Sequence, residues 1–340
     1  MVFNSVHFAI FFVAVYALYR LVRLRAQNWL LLVASYYFYA AWDWRFTGLL
    51  AASTIVSYAG ALRLARTDAP GPRRRLLWAC LAFHLAMLGF FKYYGFFAEN
   101  MASLLVAIGW RADFVTLHIV LPLGISFYTF MAMAYLVDVH RGEIEPTRDW
   151  LAFAVFIAYF PHLVAGPILR ASSLIPQIER ARTIRRTDLT QGAWLIGVGL
   201  FKKMFVADNM SPFVDAIFDP AHQATGLEIL VGTYAFALQI YGDFAGYSDM
   251  ARGLSQLMGI ELNVNFRFPY FVRDARAFWR HWHISLSTWL RDYLYIPLGG
   301  SRGSAWVTRR NLFVTMVLGG LWHGAAWPFA PTSTRWSRRS

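Results

Sequence analysis

Long apolar runs separated by short clusters of arginine are the feature that most constrains this chain. Two of these runs, Val6–Leu21 and Leu76–Phe97, are close to the length of about 20 residues that an α-helix needs to cross the hydrocarbon core of a bilayer. No water satisfies backbone polar groups at that depth, so a spanning segment must be helical or belong to a closed barrel. The runs therefore predict an all-α, polytopic helical membrane protein.

The composition and the charge agree with this fold class. Hydrophobic residues make up 58% of the chain and charged residues only 15%, whereas about a quarter of the residues of a soluble domain are charged. The net charge of +13 would indicate nucleic-acid binding in a soluble protein. Here the arginines lie between apolar runs, as topology determinants do. We therefore expect membrane lipid, and not nucleic acid, as a partner.

The apolar runs define a series of predicted spans. In chain order these are Val6–Leu21, Trp29–Trp42, Phe46–Leu62, Leu76–Phe97, Phe114–Val137, Gln191–Phe205, Leu227–Leu254 and Asn311–Trp327. Pro70-Gly71-Pro72 is expected to break any helix before the fourth span, and Pro122 and Gly124 to kink the fifth. The arginine clusters after the first and third spans, taken as cytoplasmic, place the N-terminus outside. No signal-peptide pattern precedes the first span.

Residues 150–169 are apolar but contain Pro161, Gly166 and Pro167, and arginines flank them on both sides. A simple span would place one of the two basic flanks outside. A re-entrant segment would keep both flanks in the cytoplasm, and the prolines and glycine supply the break that it needs. A kinked ordinary span is the other interpretation, and the sequence leaves the two open.

His283 and His323 are the candidate catalytic residues, because ionisable groups at membrane depth are costly and mark functional sites. If residues 278–295 form a helix, His283 shares an apolar face with Trp279 and Leu286, and His281 points to nearly the opposite side. In the last span, Gly319 and Gly320 fall on the side of His323, where they would let a ligand or a backbone approach closely.

Acyl transfer from a thioester to a hydroxyl group needs a base, and a neutral histidine suits that task. The alternative is that each histidine only forms a hydrogen bond between packed helices. A nucleophilic serine is less favoured, because neither G-x-S-x-G nor S-x-x-K occurs. Ser285 and Ser287 lie in an amphipathic segment, where a solvated or capping role is expected.

Other polar residues in the apolar runs have simpler interpretations. His84 and His118 are expected to serve packing, whereas His162 could line a cavity in the broken segment. Asp243 and Asp249 are expected to pair with a lysine of the Lys202-Lys203 pair inside the bundle. No metal-ligand spacing is present, and the single cysteine excludes an intrachain disulfide. No bound cofactor is expected, and the sequence leaves any cofactor-binding residues unidentified.

Several stretches resemble the membrane-bound O-acyltransferase family. They are W-H-I-S-L-S-T-W-L-R-D-Y-L-Y-I-P-L-G-G, G-G-L-W-H-G-A-A-W, L-L-V-A-S-Y-Y-F-Y-A-A-W, L-P-L-G-I-S-F-Y-T-F, Y-F-P-H-L-V-A-G-P-I and Q-I-Y-G-D-F-A-G-Y-S-D-M-A. The match to the family runs in the same order along the chain, from Met1 to about Trp327. The resemblance is strongest to the branch that serves bacterial alginate O-acetylation, whose relatives include the D-alanylation proteins of teichoic acid.

The resemblance implies a ring of membrane helices around a central funnel, with re-entrant segments, in a multi-pass protein of the inner membrane. It implies His323 as the base and His283 as the residue that polarises or orients the reacting groups. The implied donor is a cytoplasmic acyl thioester, acetyl-CoA or a similar compound. The implied activity is O-acetylation of an exopolysaccharide such as alginate, together with periplasmic acetyltransferase partners, and D-alanyl or other acyl transfer to a cell-envelope polymer is the alternative.

The sequence also departs from the family pattern. His281 stands where arginine is usual, and Gly242 and Ala245 replace larger or hydroxylated residues. We expect a transmembrane domain over residues 1–327 that is incomplete at its C-terminal end, a polar basic tail over 328–340, and impaired catalysis by the shortened chain. A transporter or a non-catalytic scaffold of a secretion complex is the alternative of another class, although the paired broken helices of a transporter are absent from the sequence.

Overall fold

The computed structural model describes residues 1–110, 119–164 and 166–324, and the regular structure within these ranges is helical. The first eight helices are α1 Val6–Leu21, α2 Leu24–Asp43, α3 Thr47–Ala65, α4 Pro70–Leu88, α5 Tyr94–Ala107, α6 Ile125–Arg141, α7 Trp150–Ala158 and α8 Phe160–Leu163. The others are α9 Ala171–Glu179, α10 Arg186–Leu200, α11 Asp208–Ile217, α12 Gly226–Leu257, α13 Ala275–His281, α14 Ile284–Leu290 and α15 Ala305–His323. The predicted all-α class is confirmed.

The N-terminal segments follow the sequence pattern closely. Helix α1 has the predicted bounds and begins after Ser5, whose hydroxyl oxygen accepts the backbone N–H of Phe8 at 3.2 Å. Helix α2 ends between the second and third predicted spans, where Asp43 adopts an extended backbone and its carboxylate accepts the N–H of Arg45 at 3.0 Å. Both ends are set by short polar side chains that satisfy otherwise unpaired backbone donors.

Two predicted helix breaks fall elsewhere in the structure. Pro70 begins helix α4, where its missing N–H costs nothing because the first turn has no internal acceptor for it. Pro122 and Gly124 precede helix α6 and do not kink it, because Gly124 adopts a left-handed backbone with φ 70° before Ile125. The part of that predicted span before residue 119 lies outside the described residues.

Helical stretches with the length and composition of membrane spans cover much of the N-terminal third. Leu24–Ala65 and Pro70–Ala107 meet both criteria, and the shorter helical stretches Val6–Leu21 and Trp150–Leu163 are apolar. The second long stretch includes a π-helical segment, Gly89–Tyr93, between α4 and α5. A π-helical segment rotates the side chains after it about the helix axis. Such segments are frequent at functional sites.

The chain divides into two compact units: Met1–Thr54 with Thr147–Ser285, and Ile55–Pro146 with Leu286–Ser340. In the first unit, helix α7 is buried from Leu151 to Ala158. Aromatic rings pack around the start of α8, where the ring of Phe160 lies 5.4 Å from that of Phe11 and 5.9 Å from that of Phe38. This segment therefore forms part of the core of its unit.

Helices α10 and α12 of the first unit pack with their backbones almost in contact. A Cβ atom built on Gly199 would lie 2.7 Å from the carbonyl oxygen of Gly246, and one built on Gly253 would lie 2.6 Å from that of Gly192. The residue number of the contacting glycine increases along α12 as it decreases along α10, so the two helices are antiparallel. Small residues permit this close approach, as in many membrane helix pairs.

The second unit is held by polar contacts between its apolar helices. His84 of α4 lies 2.8 Å from the hydroxyl of Ser57 of α3 and is buried. Arg73 donates to the carbonyl oxygens of Val139 and His140 at the end of α6, both at 3.1 Å. The expectation that His84 serves packing agrees with this contact.

Candidate active site

His283 lies in a break between helices α13 and α14. Its φ of 42° falls in the left-handed region, which few residues other than glycine adopt. The backbone N–H groups of Ile284 and Ser285 donate to the main-chain and side-chain oxygens of Asn265, at 2.9 and 3.1 Å, in place of carbonyls of a preceding helical turn. The predicted continuous helix over residues 278–295 is therefore wrong, and so is the shared face of His283 and Trp279.

The side chain of Asn265 is the centre of a buried hydrogen-bond cluster. Its Oδ1 atom accepts from the Ser285 hydroxyl at 2.9 Å and lies 3.2 Å from Nδ1 of His283. The Ser285 hydroxyl in turn accepts the backbone N–H of Ile168 at 2.9 Å. The cluster thus joins the loop before α13, the start of α14 and the end of the broken segment.

Aromatic rings surround the imidazole of His283, which is only 1% exposed. The ring of Phe244 meets it edge-on, with centroids 4.6 Å apart and planes at 88°, and Phe266 lies at 6.4 Å. Phe266 also packs against Trp282 at 5.1 Å. These contacts fix the plane of the imidazole and keep it in apolar surroundings.

One neighbour of His283 differs from its predicted environment. Ser285 is buried and hydrogen-bonded, so its expected solvated role is wrong. His281 is partly buried, and its carbonyl oxygen accepts the N–H of Arg267 at 3.0 Å. The sequence pattern does not identify Asn265, because an asparagine in a polar loop carries no periodic signal.

His323 is the last residue of helix α15. The helix begins at Ala305, after Ser304, whose hydroxyl oxygen accepts the N–H of Val307 at 3.4 Å. It thus starts before the predicted Asn311, and the predicted continuation to Trp327 lies mostly outside the described residues. The side chain of His323 lies at the end of a helix, where carbonyl groups lack internal partners.

Two side chains from the π-helical segment Gly89–Tyr93 bind those carbonyl groups. The Tyr93 hydroxyl donates to the carbonyl oxygen of Leu321 at 3.0 Å, and the Lys92 ammonium donates to that of Trp322. Lys92 also donates to the hydroxyl of Ser126 at 3.1 Å. Lys92 therefore holds the last turn before His323.

An aromatic stack supports the same turn from the other side. The Trp322 ring lies 5.5 Å from the ring of Phe130 and 4.9 Å from that of His323, to which it is nearly perpendicular at 80°. Phe130 stacks on Trp289 at 3.9 Å, and Trp289 Nε1 donates to the Phe130 carbonyl oxygen at 3.0 Å. Each ring in the stack is thus held by another contact, so the orientation of Trp322 is well defined.

Gly319, one of the two glycines expected on the His323 side of α15, lies next to α14. A Cβ atom on Gly319 would lie 3.1 Å from a methyl group of Leu290, so a larger side chain would press on α14. The neighbour is a side-chain methyl group, so the expected approach of a ligand or a backbone on the His323 side stays a prediction.

His162 has a structural role in the broken segment of the first unit. The α7 helix stops at Ala158, and the N–H of Phe160 donates to the Ser35 hydroxyl at 3.0 Å in place of the Phe156 carbonyl. Nε2 of His162 lies 3.1 Å from that Phe156 carbonyl oxygen and donates to it. Two side chains therefore replace the missing helical hydrogen bond, and His162 is buried at 1% exposure.

The predicted ion pairs of α12 are confirmed. Lys202 pairs with Asp249 at 2.6 Å, and Lys203 pairs with Asp243 at 2.7 Å and with Asp208 at 2.8 Å. The two lysines lie in a π-helical segment, Phe201–Ala207. Among the described residues, no group of histidine, cysteine, aspartate and glutamate is arranged to hold a metal ion.

The two candidate histidines belong to different compact units, His283 to the first and His323 to the second. Each is held by partners that come from other segments of its own unit. His118 lies outside the described residues.

The sequence profile of the membrane-bound O-acyltransferase family matches residues 8–333. The chain belongs to this family and is a membrane protein. It is 45% identical over 97% of its length to the probable alginate O-acetylase AlgI of Azotobacter vinelandii. It is 36% identical over 88% of its length to the peptidoglycan O-acetyltransferase of Helicobacter pylori.

A further relative is the teichoic acid D-alanyltransferase of Bacillus subtilis, with 28% identity over 60% of this chain. The chain spans 66% of the length of the Azotobacter relative, 61% of the Helicobacter relative and 54% of the Bacillus relative. The family resemblance in the sequence motifs is confirmed.

Proposed function

We propose that this protein is a membrane O-acyltransferase that serves the O-acetylation of an exopolysaccharide such as alginate. Family membership and the two O-acetylating relatives support the reaction class. The observation that carries the proposal is the placement of His323, at a helix end whose carbonyl groups are held by Lys92 and Tyr93. A reactive base needs a fixed orientation of this kind.

In the proposed mechanism, His323 accepts the proton of the acceptor hydroxyl as its oxygen attacks the carbonyl carbon of the acyl thioester. The carbon–sulfur bond breaks, and the departing thiolate takes the proton from His323, which becomes neutral again. The family resemblance gives the second histidine, His283, the task of orienting the reacting groups. The apolar rings around His283 exclude water and so favour interactions with a bound substrate.

The proposed donor is a cytoplasmic acyl thioester such as acetyl-CoA, and no bound cofactor is proposed. D-alanyl or other acyl transfer to a cell-envelope polymer is the second candidate, supported by the similarity to the Bacillus D-alanyltransferase. Proposed partners are periplasmic acetyltransferases that pass the acetyl group to the polysaccharide.

The proposed setting is the inner membrane, with several spans arranged as a ring around a funnel. Residues 150–169 are proposed to enter the membrane and return to the cytoplasmic side. The helix break after Ala158 and the burial of Phe160 to Leu163 support this path, because irregular backbone at membrane depth must be covered by protein or line a water-filled cavity.

The test is complementation of Azotobacter vinelandii cells that lack their own AlgI. Alginate from cells that express the chain is assayed for O-acetyl groups by proton NMR, and His323→Gln is compared at equal membrane abundance. Loss of a general base reduces rates by about 10²–10⁴-fold, so the variant is expected to leave alginate without detectable acetylation.

The matched control is His222→Gln, the same chemical change at an exposed histidine near a partly exposed glutamate, Glu228. It is expected to support full acetylation. Equal acetylation by the chain and by His323→Gln would refute the assigned role of His323. No acetylation by the chain alone would agree with the expected impairment of the shortened chain. No acetylation by the chain extended with the C-terminal part of the Azotobacter protein, in cells where that protein restores it, would refute the proposed substrate.

A further inference from the structure

The hydrogen bonds around Asn265 determine which ring nitrogen of His283 carries the proton. An asparagine side chain presents an oxygen on one side and a nitrogen on the other, and only the surrounding donors tell them apart. The backbone N–H of Ser285 points at the atom assigned as Oδ1, at 3.1 Å. A backbone N–H can only donate, so this atom is the oxygen.

The Ser285 hydroxyl gives a second, independent argument for the same orientation. It accepts the backbone N–H of Ile168 at 2.9 Å, and its own proton points to Asn265 Oδ1 at 2.9 Å. The other side of the amide, Nδ2, is 3.5 Å from the Ser248 hydroxyl, which can accept. Donors therefore lie on the oxygen side and an acceptor on the nitrogen side.

An amide oxygen has no proton to give, so His283 Nδ1, 3.2 Å away, must be the donor of their hydrogen bond. In the neutral imidazole one nitrogen carries the proton and the other carries a lone pair. The geometry thus places the proton on Nδ1 and the lone pair on Nε2.

The backbone of His283 supports a functional role for this arrangement. A non-glycine residue in the left-handed region costs on the order of 1–3 kcal/mol and persists where its surroundings enforce it. Here Asn265 holds the strained turn through its main-chain oxygen, which accepts the N–H of Ile284 at 2.9 Å. The same residue therefore fixes both the backbone and the ring of His283.

We propose that Asn265 is a positioning residue that locks neutral His283 in the tautomer with the proton on Nδ1 and the lone pair on Nε2. This inference rests on the proposed function. It limits what His283 can do: a neutral imidazole in this tautomer accepts a hydrogen bond at Nε2 but cannot donate one there to a thioester carbonyl.

The test is ¹⁵N solid-state NMR of histidine-labelled protein in lipid bilayers, with the His283 signals identified by their loss in His283→Asn. Asparagine tolerates the left-handed backbone, which makes it the conservative replacement. Neutral His283 is expected to show a protonated Nδ1 and an unprotonated Nε2. A proton on Nε2 in the native protein would overturn the proposal.

Two substitutions of Asn265 separate its positioning role from simple packing. Asn265→Asp keeps the accepting oxygen, so the Nδ1 proton is expected to remain and transfer to stay within about tenfold of the native rate. Asn265→Leu removes the acceptor and is expected to give a mixture of tautomers and a loss of transfer of about 10²-fold or more. An unchanged tautomer in Asn265→Leu would overturn the role of Asn265.

The spectroscopic result does not depend on catalysis, which keeps this inference separable from the proposed function. A protein with the Nδ1 proton but no acyl transfer would refute the function and leave the tautomer assignment intact. A protein that transfers acyl groups with the proton on Nε2 would refute the tautomer assignment and leave the function intact.

Discussion

Replacing Gly199 by alanine tests the close packing of α10 against α12. The added Cβ atom would lie 2.7 Å from the Gly246 carbonyl oxygen and 2.9 Å from the backbone nitrogen of Met250. Both neighbours are backbone atoms, which cannot rotate away as a side chain can. The helices must therefore separate at this position.

The size of the effect follows from these distances. Ordinary contact begins at 3.4 Å, so the backbones must separate by about 0.7 Å to restore it. Overpacking of this kind typically costs about 1–3 kcal/mol. The separation also stretches the neighbouring Lys202–Asp249 ion pair, now 2.6 Å long.

Gly197 on the same helix is the matched control, because a Cβ atom there meets nothing within 4 Å. Both substitutions gain the same helix propensity, about 1 kcal/mol in water, which therefore cancels in the comparison. Gly199→Ala is expected to be less stable than Gly197→Ala by about 1–3 kcal/mol.

The assay is unfolding in mixed detergent micelles by titration with dodecyl sulfate, followed by helical circular dichroism. Thermal unfolding gives a second measure, and about 2–4 °C per kcal/mol is expected for a unit of this size. Equal stability of the two variants would show that α10 and α12 are not in backbone contact, and the packing argument would be refuted.

Three further outcomes are expected. His162→Phe leaves the Phe156 carbonyl oxygen buried without its donor, and the same titration should show a loss of about 1–3 kcal/mol; unchanged stability would contradict that bond. Lys92→Met removes the donor to the Trp322 carbonyl and should lower acyl transfer roughly 10²-fold with unchanged helix content, whereas native activity would contradict the positioning of the last turn by Lys92. In a Cys80→Ala background, single cysteines at Thr147 and Ser173 should both resist an impermeant reagent added from outside, and labelling of only one would show that residues 150–169 cross the membrane.

Local sequence pattern was sufficient wherever a short polar residue or an apolar run decides the structure. The bounds of α1 follow from an apolar run with a serine before it, and the turn at Asp43 follows from its aspartate. The pairing of Lys202 and Lys203 with the aspartates of α12 was also foreseeable, because charged groups within apolar helices need partners.

The sequence by itself determined the fold class, the family and the identity of the two candidate histidines, because apolar run length and motif order are local properties of the chain. Only the tertiary structure decided how those histidines are held. Asn265 breaks a helix that periodicity favoured by capturing the N–H groups of Ile284 and Ser285. Lys92 reaches the carbonyl of Trp322 from a distant helix. Both contacts join segments far apart in the chain, and the gain from satisfying buried polar groups outweighs the local preferences that a sequence pattern records.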